Sequence, residues 1–344
     1  TLARMPPRTR IGQLFLLGIS ADGSGQPGPA ITASAPAGVF LTGRATAGVA
    51  ATARMLTTLQ DRGRAASGGA GLFTAVDQEG GQAQDLHGPG FSTMPTAAVQ
   101  GTWTTTRLQA AATTWGRQLH TAGLNVDLAP VTDTLSPALG KANAPIGAYD
   151  RAFGTTPDTV ATHATAFARG LHDAGIQSVL KHFPGLGRVR GNTDITSGVT
   201  DTTTTPTDPD LQPFTTATHA TPAWVMVSTA IYTRIDPTRP AAFSPTVLNI
   251  LRNRVGYSGL VLSDDLGNAA QVASVPAGQR AVEFLTAGGD IVLTAAPATL
   301  APMIDAVQTA TRDPHIAALA AAAELRVLDA KQSMGLLTCT SSPP

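Results

Sequence analysis

Short apolar runs, each closed by polar residues and then glycine, recur along this chain and alternate with longer segments of helical period. The clearest lies between Gly259 and Gly267, where Leu260, Val261 and Leu262 lead directly into Ser263, Asp264 and Asp265. Ala75-Val76-Asp77-Gln78-Glu79-Gly80-Gly81 and Val179-Leu180-Lys181-His182-Phe183-Pro184-Gly185 repeat the plan. Unbroken apolar runs of this length suit strands buried on both faces, as in a parallel sheet covered by helices.

In chain order the pattern predicts strands in the second half of 11–19 and over 37–43, 72–76, 124–130, 176–180, 223–228, 259–262 and 290–293. Helical spacing fills most of the intervals. Val49, Ala53, Leu56 and Leu59 share one face of a helix over 46–62. A helix over 107–122 is closed by Gly123, and one over 157–174 has Thr155 or Thr156 as N-cap and Gly175 after it. Further helices are predicted over 211–220, 245–255 (Ser244 at N-cap, Pro245 at N1), 279–287 and 314–328, the last running on to about 336. Two segments lack any period: 131–154, and the Thr-rich 188–209, which is expected to be a mobile loop over one end of the fold.

Eight strands alternating with helices define a single-domain α/β fold, a (β/α)8 TIM-type barrel over 1–336, with 337–344 expected to be a disordered tail. Barrels of this kind carry their chemistry at the carboxyl ends of the strands. Asp77, Asp127, Lys181, His182, Asp264 and Asp265 all meet that test of position.

Composition narrows the partners. Twenty-three basic against 23 acidic side chains give a net charge of +0, so nothing electrostatic favours nucleic acid or an anionic membrane. No apolar run approaches the roughly 20 residues of a membrane span. The lone Cys339 cannot form an internal disulfide. The chain starts at Thr1 rather than Met, and the expectation drawn from this is a secreted or cell-surface protein, with a cytoplasmic one as the alternative. Oligomeric state is not legible.

Carboxylates at strand ends around a cleft suit glycoside hydrolysis, in which one group attacks the anomeric carbon and another protonates the leaving oxygen. Metal binding is the rival reading. His182 has no second histidine at ligand spacing, and adjacent Asp264 and Asp265 point to opposite sides of a strand, so neither a metal nor any other cofactor is expected.

Asp77-Gln78-Glu79-Gly80-Gly81, Ala129-Pro130-Val131 with Asp133, Lys181-His182-Phe183-Pro184-Gly185-x-Gly187 and Ser263-Asp264-Asp265-Leu266 together resemble glycoside hydrolase family 3, in its single-barrel bacterial β-N-acetylglucosaminidase branch. The resemblance runs in order over nearly the whole chain. It implies a retaining enzyme that removes terminal β-linked N-acetylglucosamine, from cell-wall fragments or related conjugates, through a covalent intermediate on Asp264. It also implies a carbohydrate substrate held by Asp77, Arg151, Lys181 and His182, with Asp265 supporting loop backbone. Structural alternatives stand beside these roles: Asp77 as a turn cap, Arg151 as a loop ion pair, and Lys181 and His182 as buried partners of Asp127.

One part of the pattern is altered. Where that branch carries an Asp-x-His dyad on the loop after strand five, this chain has Asn192-Thr193-Asp194, and no histidine occurs between His182 and His219. Gln82 and Asp85 replace arginines, and Thr229 replaces a histidine. Asp194 is the substitute acid/base. A free aspartate titrates near 3.9, so the role needs a raised pKa. Burial and the charge of Asp264 raise it, whereas Arg188, Arg190 or Lys181 would lower it. The alternatives are a non-catalytic glycan-binding or regulatory barrel and a family 3 glycosidase of other sugar specificity.

Overall fold

The computed structural model describes residues 5–25 and 27–337. Eight parallel strands form one sheet: β1 (Phe15–Ser20), β2 (Gly38–Thr42), β3 (Phe73–Val76), β4 (Val126–Asp127), β5 (Gln177–Phe183), β6 (Trp224–Val227), β7 (Val261–Ser263) and β8 (Val292–Thr294). Each pairs with the next in sequence, β1 pairs with β8, and a bridge between Leu262 and Ile291 closes the ring. This is the expected barrel. Strands β3, β6, β7 and β8 are buried at every position, because helices cover the outside while side chains fill the inside.

The helices start and stop for local reasons. Thr104 caps Thr105–Thr121 and Thr156 caps Pro157–Asp173, each accepting a hydrogen bond from the backbone N–H three residues on. Ser244 caps Pro245–Asn249 in the same way, and five residues of wider π pitch, Ile250–Arg254, continue it. Glycines 123 and 175 follow two of these helices in the left-handed region, at φ 86° and 78°.

Several expectations are corrected. Helices Gly28–Ser34 and Pro297–Ala310 were not foreseen, the first being hidden in a Gly- and Pro-rich stretch and the second interrupted by Pro302. Strand β5 is longer than its apolar run, so Lys181 and His182 lie within it rather than past its end. The 188–209 segment has a defined course. It contributes a short strand, Thr200–Asp201, paired with Ile231–Tyr232, and buried Asp201 accepts hydrogen bonds from the N–H groups of Thr203 and Thr204 at 2.7 and 2.8 Å. Leu337, assigned to the tail, bridges Ala70, while 338–344 lie outside the described residues.

At the amino-terminal end of the strands, Phe73 and Trp224 meet edge to face with ring centroids 4.8 Å apart. Lys331, from the terminal helix Pro314–Ser333, lies over Phe73 with its Nζ 5.2 Å from the ring centroid. It is fully buried and donates to Gln13 Oε1 at 2.6 Å. This end is sealed, which leaves the carboxyl end open for chemistry.

Candidate active site

A pocket of about 320 Å³ opens at the carboxyl end of the barrel. All six residues expected in the site, Asp77, Arg151, Lys181, His182, Asp194 and Asp264, line it. Asp127, the remaining strand-end carboxylate, does not. It is fully buried beneath, accepts from the Gln78 N–H at 3.1 Å, and is held well above the usual carboxylate range by burial.

Three charged side chains from three parts of the chain form one wall. Glu79, two residues after Asp77 in the short strand Gln78–Gly80, receives both arms of Arg151: Nε to Oε2 at 2.8 Å and Nη2 to Oε1 at 2.7 Å. Lys181 Nζ lies 2.7 Å from Glu79 Oε1 and also bonds Asp77. Burial opposes the charge on Glu79 most strongly, yet Arg151 and Lys181 together overcome it and hold the carboxyl down to about 2. The same acids raise Lys181 and Arg151 against their own desolvation. Arg151 is therefore a loop ion pair and a pocket wall at once. Glu79 was not singled out from sequence, although strand periodicity places it on the same side as Asp77.

His182 and Lys181 do not pair with Asp127. Asp133 Oδ2 is 2.9 Å from His182 Nδ1, and its Oδ1 accepts from the N–H groups of His182 and Leu186 at 3.0 and 2.9 Å. That bond orients the ring and leaves Nε2 as the imidazole's free nitrogen. Gly187 permits the loop to close against this support, because a Cβ there would lie 1.8 Å from the Thr134 carbonyl oxygen.

On the far side, β7 ends in the paired aspartates, which have separate tasks. Asp265 accepts from the N–H groups of Gly267 at 2.8 Å, Ala295 at 2.9 Å and Asn268 at 3.2 Å, and so binds the loops after β7 and β8 together. Among the described residues Asp264 accepts only from the Asp265 N–H, at 2.8 Å, and its second oxygen is left for the pocket. Burial raises the Asp264 pKa; His182 opposes this and the charge of Asp194 adds to it.

Asp194 sits at the pocket rim. Its loop is fastened to the segment after β7: Ala270 donates to the Asp194 carbonyl and Gln271 to the Thr193 carbonyl, both at 3.0 Å. The Gln271 side chain also accepts from Val199 N–H at 2.8 Å and donates to its carbonyl at 3.2 Å. Desolvation raises the Asp194 pKa, helped by Asp265 and Asp77 and opposed by His182 and Arg151. Arg188, expected to oppose it, is instead engaged with Asp208 and Asp210, at 2.6 and 2.8 Å. Among the described residues, no cluster of three or more His, Cys, Asp or Glu side chains is arranged to hold a metal ion. No described helix is long and apolar enough to cross a membrane.

A closed (β/α)8 barrel with several carboxylates around a polar pocket at its carboxyl end suits glycoside hydrolysis. The family model described as the glycosyl hydrolase family 3 N terminal domain matches residues 8–329, and the chain belongs to that family. The beta-hexosaminidase LpqI of Mycobacterium tuberculosis is 32% identical over 90% of this chain and 78% of its own length. A beta-hexosaminidase of Stenotrophomonas maltophilia is 34% identical over 68% of this chain and 70% of its own. The crystal structure of a beta-N-acetylhexosaminidase from Beutenbergia cavernae superposes with a TM-score of 0.93 at 46% identity, covering 96% of this chain and 99% of that one. The protein is thus a glycoside hydrolase, and the non-catalytic reading falls away.

Proposed function

We propose that the protein is a retaining β-N-acetylhexosaminidase that releases terminal β-linked N-acetylglucosamine, with Asp264 as nucleophile and Asp194 as general acid/base. The observation that carries this reading is one pocket holding both carboxyls, on two loops joined by the Ala270 and Gln271 hydrogen bonds. Retention requires one of the pair ionised and the other protonated at the start. Desolvation raises both carboxyls, and the charge of Asp194 raises Asp264 further, which favours the form in which one of the two is protonated.

In the first step an Asp264 oxygen bonds to the anomeric carbon while the glycosidic bond breaks. Its electron pair goes to the leaving oxygen, which takes the proton from Asp194. In the second, water attacks the anomeric carbon and gives its proton to Asp194, and the Asp264 carboxylate departs. His182 faces the developing positive charge only through its oriented ring, whereas Lys181, Arg151 and Asp77 offer donors and acceptors to sugar hydroxyls. By the motif resemblance we infer cell-wall fragments or related glycoconjugates as the source of the sugar, and we propose a secreted or cell-surface location. Fractionation of the producing cells checks the location.

The mechanism is tested by comparing wild type, Asp264→Ala and Asp194→Ala on a 4-nitrophenyl glycoside and on a poor-leaving-group disaccharide. Asp264→Ala should abolish turnover of both. Asp194→Ala should lose about 10²- to 10⁴-fold on the disaccharide and less than about tenfold on the aryl glycoside. Equal losses on the two substrates would remove Asp194 from the acid role.

A further inference from the structure

The wall of the pocket farthest from the nucleophile holds a carboxylate that the mechanism leaves unused. Asp85 follows the short strand Ala83–Gln84, which turns back along Gln78–Gly80 beyond β3. Its backbone is fixed on both sides: the N–H donates to the Asp77 carbonyl at 3.2 Å, and its carbonyl accepts from Ala45 at 2.9 Å. Its side chain makes no hydrogen bond or ion pair among the described residues. The neighbouring Arg44 guanidinium is turned to the Gln82 carbonyl at 2.9 Å, and Lys181 is committed to Asp77 and Glu79. A polar group in the pocket wall with no protein partner is placed to meet a ligand.

Ring closure says which part of the ligand. In the eight-strand order, β3 and β7 lie diametrically across the barrel. A pyranose whose anomeric carbon faces Asp264 therefore presents its opposite edge, carbons 4 to 6, to the β3 side. Burial, and after it the adjacent charge of Asp77, push the Asp85 carboxyl up to about 8, so that it is protonated at neutral pH and ionised in alkaline solution or beside a cation.

We propose that Asp85 is a specificity-determining residue, a lone carboxyl at the far edge of the terminal-sugar pocket that favours an ammonium at carbon 6 and, where it is ionised, rejects an anionic group there. The inference rests on the glycosidase reading above and on Asp264 marking the anomeric end. A neutral 6-hydroxyl is accepted by donating to the carboxylate or receiving from the carboxylic acid. A 6-sulfate or 6-phosphate meets like charge once Asp85 is ionised, because Lys181 is committed to Asp77 and Glu79 and the Arg44 guanidinium is turned to the Gln82 carbonyl. A 6-ammonium makes a charge-assisted bond and restores full ionisation of Asp85.

The test uses 4-nitrophenyl N-acetyl-β-glucosaminide and its 6-sulfo and 6-amino-6-deoxy derivatives. Assayed at about pH 8.5, where Asp85 is mostly ionised, wild-type kcat/KM should favour amino over sulfo by at least about a hundredfold. Asp85→Asn keeps the shape and removes the charge, and should narrow that ratio at least tenfold, mainly through KM. A wild-type enzyme that cleaves the 6-sulfo and 6-amino substrates equally overturns the proposal without any variant. An Asp85→Asn ratio equal to wild type overturns it as well. If the unsubstituted glycoside itself is not cleaved, the glycosidase reading fails first and this inference with it.

Discussion

Replacing Glu79 by glutamine removes the one carboxylate that both Arg151 and Lys181 share, while leaving two buried cations behind. Glu79 is buried, yet Arg151 and Lys181 hold its carboxyl down from 4.5 to about 2. That lowering corresponds to a contribution on the order of 3 kcal/mol to stability near neutral pH. A lowered folded-state pKa stabilises above the unfolded value and is lost as pH falls toward the folded one. The contribution is therefore full above about pH 6 and is more than half lost by about pH 3. Urea unfolding of wild type and Glu79→Gln at pH 7 should differ by about 3 kcal/mol, close to the cost of breaking a buried ion pair from one side. The difference should shrink as pH is lowered. Because Lys181 and Arg151 line the pocket and are proposed to bind the sugar, kcat/KM should fall at least tenfold, with KM carrying most of the change. A stability difference below about 1 kcal/mol at pH 7, or one that grows on acidification, would refute the clamp.

Three other perturbations separate the remaining parts. Asp133→Asn takes away the carboxylate that orients His182, and should lower kcat/KM about a hundredfold on both good and poor leaving groups, since the misplaced ring serves every substrate. Gln271→Ala frees the Val199 anchor; disaccharide turnover should drop more than aryl glycoside turnover, and amide exchange over 193–199 should quicken. Lys331→Met tests the sealed end of the barrel. Burial pushes the Lys331 pKa down to about 7, so the folded protein binds fewer protons than the unfolded chain and stability rises with pH between about 7 and 10.5. Methionine removes a penalty that is full below pH 7, and the melting temperature at pH 6 should rise; a fall would show that the bond to Gln13 outweighs desolvation.

Local periodicity was enough to read the barrel, because a doubly buried strand and a one-sided helix each leave their mark within a dozen residues. It placed Asp264 at the end of β7 and gave Ser244, and one of Thr155 and Thr156, as helix caps without any knowledge of the tertiary contacts. Helix Pro297–Ala310 escaped it, since Pro302 breaks the expected composition while the flanking turns still bury Leu300, Met303, Ile304 and Val307. The motif residues likewise marked one end of the barrel as the site.

The partners of those residues came only from closure. Glu79 and Arg151 are 72 residues apart, Asp77 and Lys181 104, and Asp133 and His182 49, and no local rule links them. Asp127 looked equal to Asp77 from position alone, but packing sank one beneath the pocket and left the other in its wall. Asp194 could be chosen from sequence as the residue standing where a histidine was expected, yet its setting depends on Ala270 and Gln271 holding one loop against another. The chain by itself determined which residues reach the end of a strand. Which charge each one meets there is decided when eight strands close into a ring and bring distant segments within hydrogen-bonding distance.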